Sequence, residues 1–307
     1  MLAEHEQEIF RTYPGRRDPA ALFVLAAPRT GSTVLYQSMV EAFGLPAVSN
    51  HANAVTPSHP AVGILASHEA RKTGSVSGDF GSRYGKTDGA HGVSEGSAIF
   101  THWCGGGHPS EIVSPGVLPE RAAHMLNTLR AVEAATGLPL LMKNAWNCFR
   151  LADLAARFPN AAFIWLRRDV LTAAESDLAA RHAVQGDVQV WNSATPRNVE
   201  ALRQLPPEAQ VLENQFEFSR AISEAAESLA PDRFAEVWYE DFIAAPDTVM
   251  QRLAAQLGPL NGLRPAGLPT FSIPKPTALS ETELAGVRGH VECDPTRWQP
   301  LKWRTAQ

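Results

Sequence analysis

Three short stretches carry residues whose types and spacing suit an anion. The first is Ala27-Pro28-Arg29-Thr30-Gly31-Ser32-Thr33. Gly31 lets the backbone turn tightly and approach a ligand closely. Arg29 adds a fixed cation, and Ser32 and Thr33 add hydroxyl donors. If a helix starts at Ser32, its unpaired N–H groups and positive dipole end complete a cradle for a phosphate or sulfonate. The second stretch is Lys143-Asn144. The third is Arg167-Arg168-Asp169 with Ser176, which would lie about two helical turns beyond Arg168. Taken singly, the first also fits a plain capped helix start, and the third a surface arginine pair. The loop is not a Walker A motif, because Ser32, and not lysine, follows Gly31. That weakens an ATP-dependent reading.

The elements that must position these stretches are legible in outline. Residues 22–26 are a continuous apolar run and read as a buried strand. Residues 32–43 read as a helix stopped by Gly44. Helix 120–136 ends at Gly137, strand 138–142 leads into Lys143, and 148–157 is helical. Strand 162–166 leads into Arg167-Arg168, and helix 170–182 follows. Strand 234–239 and helix 247–257 close the pattern, and the tail from Pro265 reads as Pro-rich and irregular. Residues 48–108 are rich in Gly, Ser, His and Thr and weakly periodic. A stretch this long is functional more often than it is a linker, and Ile99, Phe100 and Trp103 could still pack. It reads as a substrate-side insertion. Alternating strands and helices predict an α/β fold, a mainly parallel sheet flanked by helices on both faces. All three stretches then fall beyond the carboxyl ends of strands, where such sheets bind ligands.

Totals narrow the class. The 307 residues carry a net charge of -5 and 44% apolar content, which suits a single domain spanning 1–307. The acidic balance argues against a nucleic-acid partner, which needs clustered Lys and Arg. Cys104, Cys148 and Cys293 form no CxxC pair, so neither a zinc site nor a disulfide framework is expected. No cationic start followed by an apolar run marks a signal peptide. The run at 22–27 is far too short for a membrane span. A cytoplasmic enzyme is the expectation.

The anion motifs together resemble the sulfotransferases that use 3′-phosphoadenosine 5′-phosphosulfate (PAPS). Pro28-Arg29-Thr30-Gly31-Ser32-Thr33 is similar to their 5′-phosphosulfate loop, P-[KR]-[ST]-G-[ST]-T. Trp165-Leu166-Arg167-Arg168-Asp169 through Ser176 resembles their 3′-phosphate site. Leu141-Met142-Lys143-Asn144 with Phe158-Pro159-Asn160-Ala161-Ala162-Phe163 resembles a run found in bacterial members. Trp238-Tyr239-Glu240-Asp241-Phe242 with Pro246 resembles a late Y-E-D element. The likeness covers roughly residues 20–45 and 138–258. The Arg-Lys-Gly motif of the cytosolic members is missing; Arg288-Gly289 and Lys302-Trp303-Arg304 are both open as stand-ins.

The resemblance implies a three-layer fold related to the P-loop NTPases. It implies in-line sulfuryl transfer from PAPS, leaving PAP, to a hydroxyl or amine of a carbohydrate, lipid or small molecule, without a metal. Arg29, Thr30, Gly31, Ser32 and Thr33 would hold the 5′ end, Lys143 would support the transferring oxygens, and Arg168 and Ser176 would hold the 3′-phosphate. Tyr239 would lie near the adenine. A general base must take the acceptor proton. The candidates are Glu95, His51, His91 and His102, with Glu95 favoured and His51 next. One rival is a serine esterase, because Gly92-Val93-Ser94-Glu95-Gly96 matches a nucleophile elbow and Gly105-Gly106-Gly107 an oxyanion loop. The polar run before Ser94 argues against it. Another rival is a nucleotide kinase of the P-loop type.

Overall fold

The computed structural model describes residues 1–74, 82–83, 86–106, 116–192, 194–271 and 279–302. Helix α1 (Leu2–Thr12) precedes β1 (Ala21–Ala26). Then come α2 (Ser32–Phe43), α3 (Asn50–Val55) and α4 (Pro60–Lys72). A short antiparallel pair, β2 (Ser82–Arg83) and β3 (Lys86–Thr87), leads to α5 (Ser97–Cys104) and α6 (Pro119–Thr136). Strand β4 (Leu140–Lys143), α7 (Leu151–Arg157), β5 (Ala161–Arg167) and α8 (Val170–Ala180) follow. After α9 (Val199–Leu202) and α10 (Pro207–Ala226) come β6 (Phe234–Trp238), α11 (Tyr239–Ala244) and α12 (Pro246–Gln256). Helices α13 (Glu281–Cys293) and α14 (Pro295–Trp298) complete the described chain.

The main sheet has the order β4-β1-β5-β6, and every pairing in it is parallel. Its central strand β1 is buried along its whole length. Leu22, Val24 and Ala26 face a core shared with Leu35 and Met39 of α2 and Met250 of α12. Phe23 and Leu25 face a second core with Trp103 of α5, Met125 and Leu129 of α6, Leu154 of α7 and Phe218 of α10. A strand covered on both faces needs apolar side chains at every position, which is why its sequence does not alternate. A third, smaller cluster joins α8, α10 and α13 through Leu178, Leu212, Val287 and Val291.

The expected strands and their flanking helices are present, with small shifts. Tyr239 starts α11 rather than ending a strand, and α8 stops at Ala180, followed by a π-helical turn, Arg181–Gln185. Two expectations need correction. The insertion at 48–108 is not loop-like where it is described, since it holds α3, α4 and α5. The inner face of α4 is Pro60, Ala61, Gly63, Ile64, Ser67 and His68, too small and polar to give a strong apolar period. Gly63 is needed there because a Cβ would stand 2.6 Å from the Ala52 Cα of α3. The tail from Pro265 is not irregular throughout, because α13 starts with a full capping box between Ser280 and Glu283.

Candidate active site

The anion loop is held from outside. Thr30 Oγ1 donates to the Ala27 carbonyl at 2.9 Å and closes the turn. Gln215 of α10 donates to the Pro28 carbonyl at 2.6 Å, and Arg168 donates to the Arg29 carbonyl at 2.9 Å. These three donors occupy loop carbonyls, whereas no side chain caps α2. The N-terminal amides of α2 are therefore left for a ligand. Arg29 takes a φ of 64°, the one positive φ outside glycine among the described residues. Such a conformation costs on the order of 1–3 kcal/mol and persists only where its surroundings impose it. Gly31 has a φ of 84° and lies against the Tyr239 ring, where a Cβ would come within 2.3 Å of Cε2.

Arg168 joins this loop to the end of β5. Its guanidinium lies 4.7 Å from the centre of the Tyr239 ring. Burial pulls its pKa below the usual arginine value and pushes the Tyr239 phenol up. Nε of Arg168 is buried with no hydrogen-bond partner among the described residues. Asp169 caps α8 by accepting from the amides of Leu171 and Thr172, and its own amide donates to Glu240. Ser176 lies two turns along α8, half-exposed. Its neighbour Glu175 has a carboxyl raised by burial, with Arg288 of α13 as the strongest opposing charge. Arg288 lies on α13, which packs against α8 through Val287 and Val291. Lys302 instead lines a cavity with Trp165 and Trp238; Trp303 and Arg304 lie outside the described residues.

At the other end, Lys143 leaves β4 buried, with Nζ 2.5 Å from Glu95 Oε1 and 3.4 Å from Thr33 Oγ1. Asn144 donates to the Glu95 carbonyl at 3.2 Å, while its Oδ1 accepts from the Trp146 amide and from buried Arg150. The residues around Glu95 are fixed as well. The Ser94 amide donates to the Val48 carbonyl, and Ser49 bridges Val93. One acid, one ammonium and the hydroxyl of the anion loop thus converge at the end of β4.

The three histidines do not join this group. No hydrogen bond links His51, His91 or His102 to the loop, Lys143 or Glu95 among the described residues. His51 lies beside His91, ring centres 6.2 Å apart, and His91 contacts Ser67 Oγ at 3.0 Å. His102 packs edge-on to His124, and burial lowers its pKa to about 4. His124 belongs to a separate network: Trp103 donates to its Nδ1, so in the neutral ring Nε2 carries the proton toward Glu6 at 2.9 Å. Glu6 also contacts His59 and the Ala61 amide, tying α1 to α4. Sequence reasoning missed this network because its members are scattered over more than a hundred residues.

The rival motifs lack their contexts. Ser94 follows a single bridge residue rather than a strand of the main sheet, and its Oγ accepts from the Gly96 amide. Gly107 of the glycine run, and Tyr84 and Gly85 ahead of Lys86, lie outside the described residues. Gly85-Lys86-Thr87 does contain a Gly-Lys pair, but Phe80 stands where a Walker loop needs glycine. Among the described residues no group of three or more His, Cys, Asp or Glu could hold a metal ion. No described helix is long and apolar enough to cross a membrane.

No curated protein matches the sequence. Among solved structures, a sulfotransferase domain from the curacin biosynthetic pathway is 17% identical, with 78% of this chain and 74% of that chain covered and a TM-score of 0.44. Sulfotransferase STF9 from Mycobacterium avium is 16% identical, with 96% and 73% covered and a TM-score of 0.46. STF1 from Mycobacterium tuberculosis H37Rv is 14% identical, with 96% and 81% covered and a TM-score of 0.48. The profile of the sulfotransferase family matches residues 19–259, from just before β1 to beyond α12, and the chain belongs to that family.

Proposed function

We propose that this protein moves a sulfuryl group from PAPS to a hydroxyl or amine of a carbohydrate, lipid or other small acceptor. The observation that carries the reading is the convergence of Glu95, Lys143 and Thr33 beside the open start of α2. The residues present fit a donor with anionic groups at both ends. The loop offers uncapped helix amides and Arg29. The Arg168 end offers a buried Nε without a partner, the Ser176 hydroxyl, and Arg288 in place of the missing Arg-Lys-Gly motif. When bound, PAPS supplies the activated sulfuryl group.

The chain's own residues then position groups and stabilise charge. Arg29 and the amides of Thr30 to Thr33 hold the 5′ end. Arg168 and Ser176 hold the 3′-phosphate, and the Tyr239 ring backs both Gly31 and Arg168. Lys143 Nζ, between Thr33 and Glu95, stabilises negative charge on the oxygens around the transferring group. Glu95 Oε2, the oxygen not held by Lys143, takes the acceptor proton. Among the four candidate bases, only Glu95 touches the loop's partner lysine.

Calorimetry with PAP in magnesium-free buffer tests the reading. Micromolar binding is expected. Magnesium-dependent ATP binding with none to PAP would mean a P-loop kinase instead.

A further inference from the structure

Arg167 and Arg168 are consecutive at the end of β5, and they serve opposite faces of the sheet, as alternation along a strand requires. Arg168 meets Tyr239 and the anion loop. Arg167 lies between Trp165 and Trp238, 4.3 and 4.5 Å from their ring centres, and bonds Glu236 and the Pro300 carbonyl. Beside it opens a cavity of about 570 Å³, bounded by β5, β6, α10 and the Gln299–Leu301 turn. That volume is in the usual range for small-molecule sites. Lys143, the partner of Glu95, stands at β4, two strand spacings or roughly 10 Å from β5. The cavity is thus offset sideways from the Lys143–Glu95 pair.

We propose that this cavity is a second ligand site, for a flat aromatic anion such as an aryl sulfonate or aryl carboxylate. Its walls include Trp165, Trp238 and Phe216, with Arg167 and Arg297 lying over their rings. Its arginines are already neutralised: Arg297 by Glu213, Arg220 by Glu217 and Glu224, and Arg167 by Glu236. Lys302 is different, since its ammonium has no partner among the described residues, and neither do the hydroxyls of Ser219 and Ser223. Aromatic walls with a few convergent, unengaged polar groups are the usual make-up of a ligand pocket. The Lys302 ammonium beside two hydroxyl donors is the local group that can take a single negative charge, while the four lining cations and the carboxylates Glu213, Glu217, Glu224 and Glu236 balance overall. A much smaller pocket lined by Thr30, Arg168, Gln215 and Ser219 lies next to it and shares Trp165, Arg167, Ser219 and Leu301 with it. The two sites are thus neighbours on opposite faces.

Fluorescence titration with 2-naphthalenesulfonate, in the presence of saturating PAP, tests the proposal. One equivalent should bind, and the neutral 2-naphthamide should bind at least about tenfold more weakly. Lys302→Glu should weaken the sulfonate by about tenfold or more, and Ser219→Trp should abolish binding by filling the floor. If Ser219→Trp does not fold, Lys302→Glu decides alone. Competition by PAP, or binding unchanged in Lys302→Glu, overturns the proposal. PAP affinity measured separately keeps the outcomes distinct: sulfonate binding without PAP binding would sink the sulfuryl-transfer reading and leave this site standing.

Discussion

Lys143 Nζ stands 2.5 Å from Glu95 Oε1, and this contact joins the sheet to the insertion. Lys143 is buried at the end of β4, whereas Glu95 is about one-third exposed. The ammonium therefore spends one donor on the insertion and directs another at Thr33 of the anion loop. Asn144 holds the main chain of Glu95 from the same strand end. The acid is placed by β4, so its distance from the loop is set by the sheet.

Replacing Glu95 with Gln should lower kcat by roughly 10²–10⁴-fold, the usual contribution of a general base. The amide oxygen can still accept from Lys143, so PAP affinity and folding should stay near wild type. A variant with full activity would shift the role to His51.

Gly31→Ala should cost at least ~1–3 kcal/mol, because alanine is strained at a φ of 84°. Its Cβ would also overlap the Tyr239 ring. Adding Tyr239→Ala should recover the part due to overlap and leave the backbone strain. Melting temperatures of the four proteins in this cycle separate the two; an additive result would show that the ring does not limit this position.

Arg168→Ala should weaken PAP by roughly 10- to 100-fold, the range for a lost hydrogen bond to a charged group. Arg168→Lys should recover little, since an ammonium cannot reproduce the fork that reaches the Arg29 carbonyl and a phosphate together. Calorimetry of both variants decides; wild-type affinity in Arg168→Ala would remove the 3′-phosphate assignment.

Acid should destabilise the fold through two histidines desolvated by burial. Burial lowers His68 and His102 from 6.5 to about 4. Between those values the unfolded chain takes up protons that the folded chain refuses, so stability falls as pH drops from about 6.5 to about 4 and then levels for these groups. Melting temperatures across that window should decline less steeply in His68→Gln/His102→Gln. An identical slope would place the acid sensitivity elsewhere.

The sheet was legible because both of its faces are covered, which makes strands such as residues 22–26 continuous apolar runs. The candidate anion loop was legible because Gly31 between hydroxyl residues follows such a strand and opens a helix. Glu95 was ranked first among four bases, but nothing in its spacing shows that Lys143, 48 residues later, would meet it. Helix α4 stayed hidden because its packing uses Gly63, Ser67 and His68 rather than large apolar side chains. Helix α13 buries only Val287 and Val291, so its capping box was the signal to read. The cavity beside Arg167 could not be foreseen, because its walls come from β5, β6, α10 and the chain after α14.

The strand order has a consequence for how the chain is made. The central strand β1 leaves the ribosome with no partner yet synthesised, since β4 starts at Leu140 and β5 at Ala161. At typical elongation rates of about 5–20 residues per second, the most apolar segment of the protein waits several seconds or more for a neighbour. During that wait residues 21–26 are an unpaired, two-faced apolar edge. The nascent chain is therefore most exposed to mispairing and to capture by holdase chaperones before β4 emerges.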